Sequence, residues 1–319
     1  MHHFTSLEIC SGAGGQALGL EFAGFSHQGL VEIEPAACAT LRQNRPTWNI
    51  VEGDLRTFDG RPFKGVDLLA GGVPCPPFST AGKRLGAADE RDLFPEAIRL
   101  VDECRPQAVM LENVRGLLDP VFDEYRNEVE HQLKKLGYVS GWKLVRASDY
   151  GVSQLRPRAV LVAIRKSLSS GFSWPEPYET VPPTVGALLH DLMVADGWRG
   201  ADRWREQANS IAPTLVGGSK KHGGPDLGPT RAKRAWAALG VDGHGLWDNP
   251  PAPDFVGMPR LTVSMAARIQ GFPDDWRIFG RKTAAYRQIG NAFPPPVAGA
   301  IAHQISEALS AKCAYRVAS

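Results

Sequence analysis

The chain has 319 residues, of which 43% are hydrophobic and 22% are charged, and its formal net charge is +2. This length is enough for one large α/β domain and a smaller one, and the composition excludes disorder of the whole chain. No apolar run approaches the roughly 20 residues of a membrane-spanning helix, and the first residues lack the pattern of a signal peptide. The sequence therefore indicates a soluble intracellular protein.

The five cysteines are scattered and do not form a C-x-x-C pair; they are Cys10, Cys38, Cys75, Cys104 and Cys313. An odd count without such pairs argues against a disulfide framework and against a zinc site. We therefore expect no metal and a reducing compartment, in which a thiol can stay reactive.

Short apolar runs alternate with helical patterns through the first half of the chain. Strands are predicted near residues 7–10, 29–31, 48–51, 66–70 and 108–111, and helices over 16–22, 35–44 and 121–136. Continuous apolar runs are typical of strands buried on both faces of a parallel sheet. Residues 142–145 and 159–164 are predicted as two final, antiparallel strands. The order predicts an α/β fold with a doubly wound, Rossmann-like sheet.

The pattern changes near Lys166, and from there to Met258 the chain is rich in glycine, proline and tryptophan. This composition predicts a smaller, loop-rich domain over residues 166–258. It interrupts a larger domain formed by residues 1–165 and 259–319. After it we expect a short helix that begins at an N-cap, Thr262, and a last helix that begins among prolines 294–296.

A glycine turn follows the first predicted strand; it consists of Cys10, Ser11, Gly12, Ala13, Gly14 and Gly15. A strand, a glycine turn and a helix in succession are typical of nucleotide-cofactor sites. Glu32 lies 20 residues after Gly12, where a carboxylate can accept hydrogen bonds from ribose hydroxyls. Asp54 follows the next strand and is expected near an adenine ring. A purely structural turn with surface acids has the same pattern, so these residues alone leave both interpretations open.

Cys75 lies in a proline-rich stretch, residues 71–79, directly after the fourth predicted strand. Open α/β sheets place their active sites at the carboxyl ends of the strands. The flanking prolines restrict the backbone and hold the sulfur in a fixed direction. Free cysteines are usually buried as small hydrophobic residues, which we expect for the other four. A cysteine between prolines in a polar loop indicates a reactive thiol instead.

Polar side chains also follow the fifth strand and precede the last one. Glu112 and Asn113 end the fifth strand, where burial is expected to raise the pKa of Glu112 and favour its protonated form. Arg156 and Arg158 stand two residues apart on an extended segment, so we expect both to point the same way. There they can bind an anionic or carbonyl group, or stabilise a thiolate. Surface arginines at the start of a strand are the alternative.

Together these segments resemble the DNA cytosine-5 methyltransferases, chiefly those of bacterial restriction-modification systems. The matching segments are residues 11–15, 74–75, 112–114, 154–158, 268–273 and 290–292. Each motif is weak alone, but their order and spacing are hard to obtain by coincidence. The resemblance covers almost everything outside residues 166–258.

The resemblance implies methyl transfer from S-adenosylmethionine to carbon 5 of a cytosine that has been rotated out of the duplex. Cys75 is implied as the nucleophile that adds to carbon 6, and protonated Glu112 as the acid at ring nitrogen 3. Arg158 would favour the thiolate, and Asn113 and Arg156 would orient the pocket. Beside the glycine turn, Glu32 and Asp54, the implied cofactor contacts are Ile33, Leu55, Gly72, Pro74, Leu93, Asn291 and Ala292.

The partner implied by the resemblance is double-stranded DNA, read in the major groove by residues 166–258. A segment over residues 78–91 is expected to close over the DNA. A basic, glycine-rich stretch over residues 217–234 suits contact with phosphates, although its composition is equally typical of a solvated loop. The candidate DNA contacts are Ser79, Lys83, Arg84, Lys220, Lys221, Arg231, Lys233 and Arg234. The resemblance is compatible with a restriction endonuclease as a further partner, and we expect a monomer in the bacterial cytoplasm.

The sequence departs from the family pattern in three places. Pro76 follows the predicted nucleophile where the family usually has glutamine, and Cys10 occupies the position of a common phenylalanine. Met265 occupies the position at which a glutamate completes a capping box around the predicted N-cap. None of the departures removes a predicted catalytic group.

Three other functions share part of the pattern. An RNA cytosine-5 methyltransferase has the same catalytic core, although RNA readers more often recognise shape or unpaired bases. A NAD-dependent oxidoreductase explains the glycine turn and Glu32 but gives no role to Cys75 or Glu112. A non-catalytic DNA-binding protein with this fold has no need of the intact catalytic residues.

Overall fold

The computed structural model describes residues 4–74, 92–217 and 226–317, with side chains to residue 310. Contacts divide the chain into two compact units. The first unit comprises Met1–Val145, Pro157–Glu176 and Ala298–Ser319, and the second comprises Arg146–Arg156 and Pro177–Val297. Residues 146–156 and 259–297 thus group with the second unit, beyond the bounds predicted for the inserted domain. This division is based on contacts within the chain. The assignment of catalysis to one domain and of DNA recognition to the other stays a prediction.

A mixed sheet is the centre of the first unit. Within the described residues it has seven strands: β1 (Phe4–Ile9), β2 (Phe25–Glu32), β3 (Ile50–Glu52), β4 (Leu68–Gly72), β5 (Ala108–Val114), β6 (Tyr138–Arg146) and β7 (Pro157–Arg165). Their order across the sheet is β3-β2-β1-β4-β5-β7-β6. The first five strands are parallel, and β7 runs antiparallel to β5. The predicted doubly wound α/β sheet is therefore confirmed.

The helices of this part of the chain are α1 (Gly15–Phe22), α2 (Pro35–Asn44), α3 (Phe94–Cys104), α4 (Asp123–Lys135) and α10 (Pro295–Val317). Sequence analysis did not predict α3, although its apolar residues recur at helical spacing. Ala97, Leu100, Val101 and Cys104 are all fully buried and pack in the core with strand residues such as Leu69 and Val109. The helix is held by this apolar stripe, a pattern visible in the sequence.

The described residues of the second unit form five short helices. They are α5 (Val185–Met193), α6 (Ala201–Gln207), α7 (Thr230–Ala238), α8 (Val263–Ile269) and α9 (Lys282–Asn291). The helices α5, α6 and α7 lie within residues 166–258 and were not predicted. Each has at most nine residues, so its apolar period is brief, and tertiary packing rather than propensity stabilises helices of this length. Buried side chains such as Leu189, Trp204 and Trp236 provide that packing.

Thr262 caps α8 as predicted. Its side chain accepts a hydrogen bond from the backbone N–H of Met265 at 3.3 Å. The sulfur of Met265 in turn accepts from the backbone N–H of Thr262 at 3.4 Å, so the reciprocal capping box is present without glutamate. This departure from the family pattern therefore leaves the helix start intact. Among the described residues, no helix is long and apolar enough to cross a membrane.

Candidate active site

The carboxyl ends of the parallel strands bring several described cofactor and catalytic candidates of the first unit to one edge of the sheet. In the strand register, Ile9 is opposite Val31 and Gly71, and Gly72 is opposite Glu112. The glycine turn after β1, Glu32 at the end of β2, and Glu112 near the end of β5 therefore lie at the same edge. This is the place at which open α/β sheets bind ligands.

The glycine turn has the backbone conformation that its residues predict. Gly12 and Gly14 have φ angles of 54° and 82°, in the left-handed region that glycine adopts without strain. Gly14 is also the N-cap of α1. Cys10 has a φ of 52° as well, which is uncommon for a residue with a side chain. Burial raises the pKa of its thiol, so Cys10 stays neutral.

Glu32 is bound to the glycine turn. One carboxylate oxygen accepts from the backbone N–H of Gly12 at 2.7 Å, and the other accepts from the backbone N–H of Glu34 at 2.8 Å. Burial raises the pKa of Glu32, while these hydrogen bonds act in the opposite direction. Each carboxylate oxygen has a second lone pair, so Glu32 can also accept from a ligand hydroxyl.

Three further predicted cofactor residues of this unit follow the ends of β1, β2 and β3. Ser11 is buried, and its N–H donates to the carbonyl of Val31 at 3.1 Å. Asp54 caps a short 3₁₀ turn, where it accepts from the N–H of Arg56. Ile33 is 56% exposed directly after Glu32. A glycine turn, a fixed carboxylate and an exposed aliphatic side chain fit an adenosine group, which offers hydroxyls and a flat ring.

Gly72 lies between the glycine turn and Glu112. A Cβ atom at this position would lie 3.4 Å from a carboxylate oxygen of Glu112 and 3.9 Å from the carbonyl of Cys10. A side chain here would therefore fill the space between the predicted cofactor turn and the predicted acid. Glycine keeps that space open.

Glu112 forms a buried ion pair with Arg158. The Nε atom of Arg158 lies 2.7 Å from a carboxylate oxygen of Glu112, and the two side chains are only 11% and 9% exposed. Burial lowers the pKa of Arg158, and the charge of Glu112 opposes that effect. The predicted burial of Glu112 is present, but the sequence did not indicate this positive charge, which favours the ionised carboxylate.

Asn113 holds the backbone that leads to the predicted nucleophile. Its side-chain amide donates to the carbonyl of Val73 at 2.8 Å, and its side-chain oxygen accepts from the N–H of Val114 at 2.7 Å. One residue further, the carbonyl of Pro74 accepts from the N–H of Leu93 at 3.2 Å. The predicted residues Asn113, Pro74 and Leu93 are thus brought together. Cys75, Ser79, Lys83, Arg84, Lys220 and Lys221 lie outside the described residues.

Arg156 belongs to a different set of contacts, within the second unit. It is fully buried, and its guanidinium donates to the carbonyls of Leu215, Gly290 and Ala292 at 2.7–2.9 Å. The described partners of Arg156 are therefore different from the Glu112 partner of Arg158, so the expectation that both side chains point the same way is not met. The reason is that β7 begins at Pro157, so Arg156 precedes the strand and the alternation of strand side chains does not apply to it. That Arg156 orients the catalytic pocket stays a prediction.

Two glutamines extend this set of contacts. The amide of Gln154 donates to the side-chain oxygen of Gln270 at 2.8 Å, and its oxygen accepts from the N–H of Leu215 at 2.9 Å. The amide of Gln270 donates to the carbonyl of Ala292, which also accepts from Arg156. The sequence gives Gln154 and Gln270 no individual role; they are parts of the matching segments 154–158 and 268–273. Both are fully buried, and buried polar side chains require partners.

The predicted residues Asn291 and Ala292 lie in the second unit, at and just after the end of α9, and their contact with a cofactor stays a prediction. Of the described DNA-contact candidates, Arg231 and Arg234 are exposed on α7. The ammonium of Lys233 lies 2.8 Å from a carboxylate oxygen of Asp226. An intramolecular ion pair lowers the positive charge that Lys233 offers to a phosphate.

Comparison with known proteins identifies the class. The family model for C-5 cytosine-specific DNA methylases matches residues 4–307. The chain therefore belongs to this family and is a DNA cytosine-5 methyltransferase. The assignment favours DNA over RNA as substrate and excludes the oxidoreductase alternative.

Two of the similar proteins are type II methyltransferases of bacteria. The chain is 61% identical over 309 residues to the type II methyltransferase M.NgoMIV of Neisseria gonorrhoeae. The alignment covers 96% of this chain and 98% of that protein. It is 58% identical to the type II methyltransferase M.NaeI of Lentzea aerocolonigenes, over 97% of this chain and 76% of the relative.

Solved structures show the same fold at low identity. The Spodoptera frugiperda DNMT2 structure matches with a TM-score of 0.67 at 19% identity, covering 95% of this chain and all of that chain. The Entamoeba histolytica methyltransferase EhMeth matches with a TM-score of 0.68 at 14% identity, covering 97% of this chain and 99% of that one.

Proposed function

We propose that this protein transfers a methyl group from S-adenosylmethionine to carbon 5 of a cytosine within a specific double-stranded DNA sequence. It acts as a monomer and as the modification enzyme of a type II restriction-modification system, whose endonuclease cleaves the same sequence. The observation that supports this most directly is the pairing of Gly72 with Glu112. This pairing places the glycine turn, the Pro74 backbone and the Glu112–Arg158 pair at one sheet edge.

The residues that would hold the cofactor are those around the glycine turn. Gly12 and Gly14 shape the turn, and Glu32 accepts from its backbone with acceptor capacity left for ribose hydroxyls. When bound, S-adenosylmethionine supplies a methyl group on a positively charged sulfur. Ile33 offers an apolar surface to the adenine ring, and Gly72 keeps free the space beside Glu112.

Covalent chemistry follows from the poor nucleophilicity of cytosine carbon 5. We propose that the Cys75 thiolate attacks carbon 6, forming a sulfur–carbon bond and pushing an electron pair toward ring nitrogen 3. Glu112 delivers a proton to that nitrogen and binds the exocyclic amine. As carbon 5 attacks the methyl group, the proton on ring nitrogen 3 returns to Glu112. A base then removes the proton of carbon 5, the electron pair of that bond restores the ring double bond, and the sulfur–carbon bond breaks to release Cys75 as a thiolate.

Arg158 has two roles in this proposal. Its positive charge next to Glu112 lowers the free energy of an anion at this edge, and it therefore also favours a thiolate in the neighbourhood. It also fixes the carboxylate that must face the base. Arg158 then stabilises the carboxylate that Glu112 becomes once it has given its proton to ring nitrogen 3.

Base rotation and sequence recognition complete the proposal. The target carbon is inaccessible in a stacked duplex, so the cytosine leaves the helix at a cost of a few kcal/mol. Recognition falls to residues 166–258, with Arg231 and Arg234 as the described candidates for DNA contact. Bisulfite sequencing of DNA from a host that expresses the protein identifies the methylated sequence. If that DNA contains no 5-methylcytosine, the proposed activity is wrong.

The nucleophile is tested by trapping. DNA that contains 5-fluorocytosine at the target has no proton to lose from carbon 5, so the wild-type protein is expected to form a stable adduct with it. The Cys75→Ser variant should form no adduct and lose methyl transfer, while Cys38→Ser, which changes a buried cysteine of α2, serves as the matched control. An adduct formed by Cys75→Ser at the wild-type rate would show that another residue is the nucleophile.

A further inference from the structure

The backbone just before Cys75 is held from two directions. Asn113 donates to the carbonyl of Val73, and Leu93 donates to the carbonyl of Pro74. Cys75 follows Pro74 directly in the chain. Whatever fixes Leu93 therefore also holds the backbone of Pro74, the residue that precedes the predicted nucleophile.

Asp92 precedes Leu93, and hydrogen bonds hold its side chain, so it restricts the backbone of Leu93. Its side chain accepts a hydrogen bond from the backbone N–H of Phe94 at 3.0 Å. The hydroxyl of Tyr125, on α4, lies 2.8 Å from each of its carboxylate oxygens. Asp92 is only 8% exposed, and a buried carboxylate is stable only with such donors.

The ring of Tyr125 is supported in turn by the apolar core. It packs edge to face against Phe94, with ring centroids 5.9 Å apart and an interplanar angle of 85°. Phe94 is buried and also packs against Trp142, at a centroid distance of 6.0 Å. This packing fixes the position of the Tyr125 hydroxyl, which donates a hydrogen bond to Asp92.

We propose that Asp92 and Tyr125 are positioning residues for methyl transfer, acting through Leu93 and Pro74 on Cys75. The proposal rests on the proposed function of Cys75 as the nucleophile. The hydrogen bonds run from the Tyr125 hydroxyl to Asp92, and from the Leu93 N–H to the Pro74 carbonyl. Together they connect α4 to the backbone that ends at the predicted nucleophile.

The test removes one hydroxyl and keeps the ring. In the Tyr125→Phe variant, kcat on target DNA is expected to fall about 10-fold or more, because small displacements of reacting groups are costly. The rate of adduct formation with 5-fluorocytosine DNA should fall by the same factor. The Kd for S-adenosylmethionine, measured by calorimetry, should rise by a smaller factor than kcat falls, because the glycine turn is untouched although Leu93 and Pro74 are predicted cofactor contacts.

Tyr138→Phe is the matched control. Its hydroxyl donates to the carbonyl of Pro106, before the amino end of β5, so the same atom is removed from the same unit away from the carboxyl edge. We expect wild-type kcat for this variant, even where its Tm falls as much as that of Tyr125→Phe. An Asp92→Ala variant should lose activity as well. Adding Tyr125→Phe to it should cause a smaller loss than Tyr125→Phe causes in the wild-type protein, because the bond between the two side chains is already absent.

Two results would overturn the positioning role: a wild-type kcat for Tyr125→Phe, or an equal loss of kcat for both tyrosine variants. The trapping assay separates this from the proposed function. If the wild-type protein forms no adduct, the nucleophile assignment fails and the positioning of Cys75 fails with it. If the wild-type protein is trapped and Tyr125→Phe is trapped at the same rate, only the positioning role fails.

Discussion

Two arginines, two residues apart in the chain, belong to two different regions of the molecule. Arg158 lies in the sheet unit against Glu112, at the edge where the predicted catalytic residues meet. Arg156 lies in the second unit and donates to three main-chain carbonyls. The surroundings of each arginine therefore indicate its role. Arg158, paired with a carboxylate at the end of a strand, is placed to take part in catalysis. Arg156, which donates to main-chain carbonyls, holds separate chain segments together.

The largest expected effect comes from removing each arginine in turn. Arg158→Gln should lower kcat about 100-fold, since it removes a charge from the developing anionic site, with little change in the Kd for S-adenosylmethionine. Arg156→Met should lower the free energy of unfolding by about 3 kcal/mol, because three carbonyls lose donors that are worth roughly 1 kcal/mol each. At a temperature well below its Tm, Arg156→Met should keep most of its kcat.

Urea unfolding and steady-state kinetics on both variants check this difference. If Arg156→Met lost kcat as strongly as Arg158→Gln while keeping wild-type stability, Arg156 would act in the pocket, as the sequence predicts. Arg156→Lys sharpens the test: it keeps the charge, but one ammonium cannot replace the planar fork that reaches three carbonyls.

A smaller effect is expected within the sheet unit alone, at the glycine turn. Glu32→Ala should weaken S-adenosylmethionine binding about 10-fold, the equivalent of one charged hydrogen bond to a ribose hydroxyl. Glu52→Ala is the control, since this acid ends the neighbouring strand β3 and forms an exposed ion pair with Arg42. Calorimetric titration that gave the same Kd for Glu32→Ala and wild type would refute the ribose assignment.

The smallest expected effect concerns pH. The ring of His27 donates from Nε2 to the carbonyl of Ala17 and accepts at Nδ1 from the hydroxyl of Ser6, and burial lowers its pKa to about 4. Between about pH 6.5 and pH 4 the unfolded chain therefore binds a proton that the folded chain does not, so stability falls as the pH falls. At pH 5 the loss is about 2 kcal/mol.

Urea unfolding at pH 7 and pH 5 checks this effect. The His27→Gln variant should lose about 2 kcal/mol less than wild type between these pH values, because glutamine does not titrate there. Equal losses would mean that His27 is protonated in the folded sheet unit. Comparison with the variant isolates His27 from the buried acids Glu8 and Glu32, whose pKa values are raised by burial and which act with the opposite sign.

The sequence predicted the sheet unit well. The predicted bounds of α2 agree with the structure, and the runs at residues 66–70 and 108–111 are strands of the sheet. Apolar periodicity and proline at a helix start are local signals, so they survive without knowledge of contacts. Of the short helices of the second unit, α8 was predicted from its N-cap, whereas α5, α6 and α7 were missed because packing between segments stabilises them.

The sequence by itself determined the family, the order of the motifs and the edge of the sheet at which they meet, since parallel strands bring their carboxyl ends together. Only the tertiary structure decided which side chain meets which. Glu112 and Arg158 are 46 residues apart in the chain, Arg156 and Ala292 are 136 apart, and Asp92 and Tyr125 are 33 apart. Such pairs depend on strand register and on the packing of distant segments, and the two arginines have different partners because a strand begins between them.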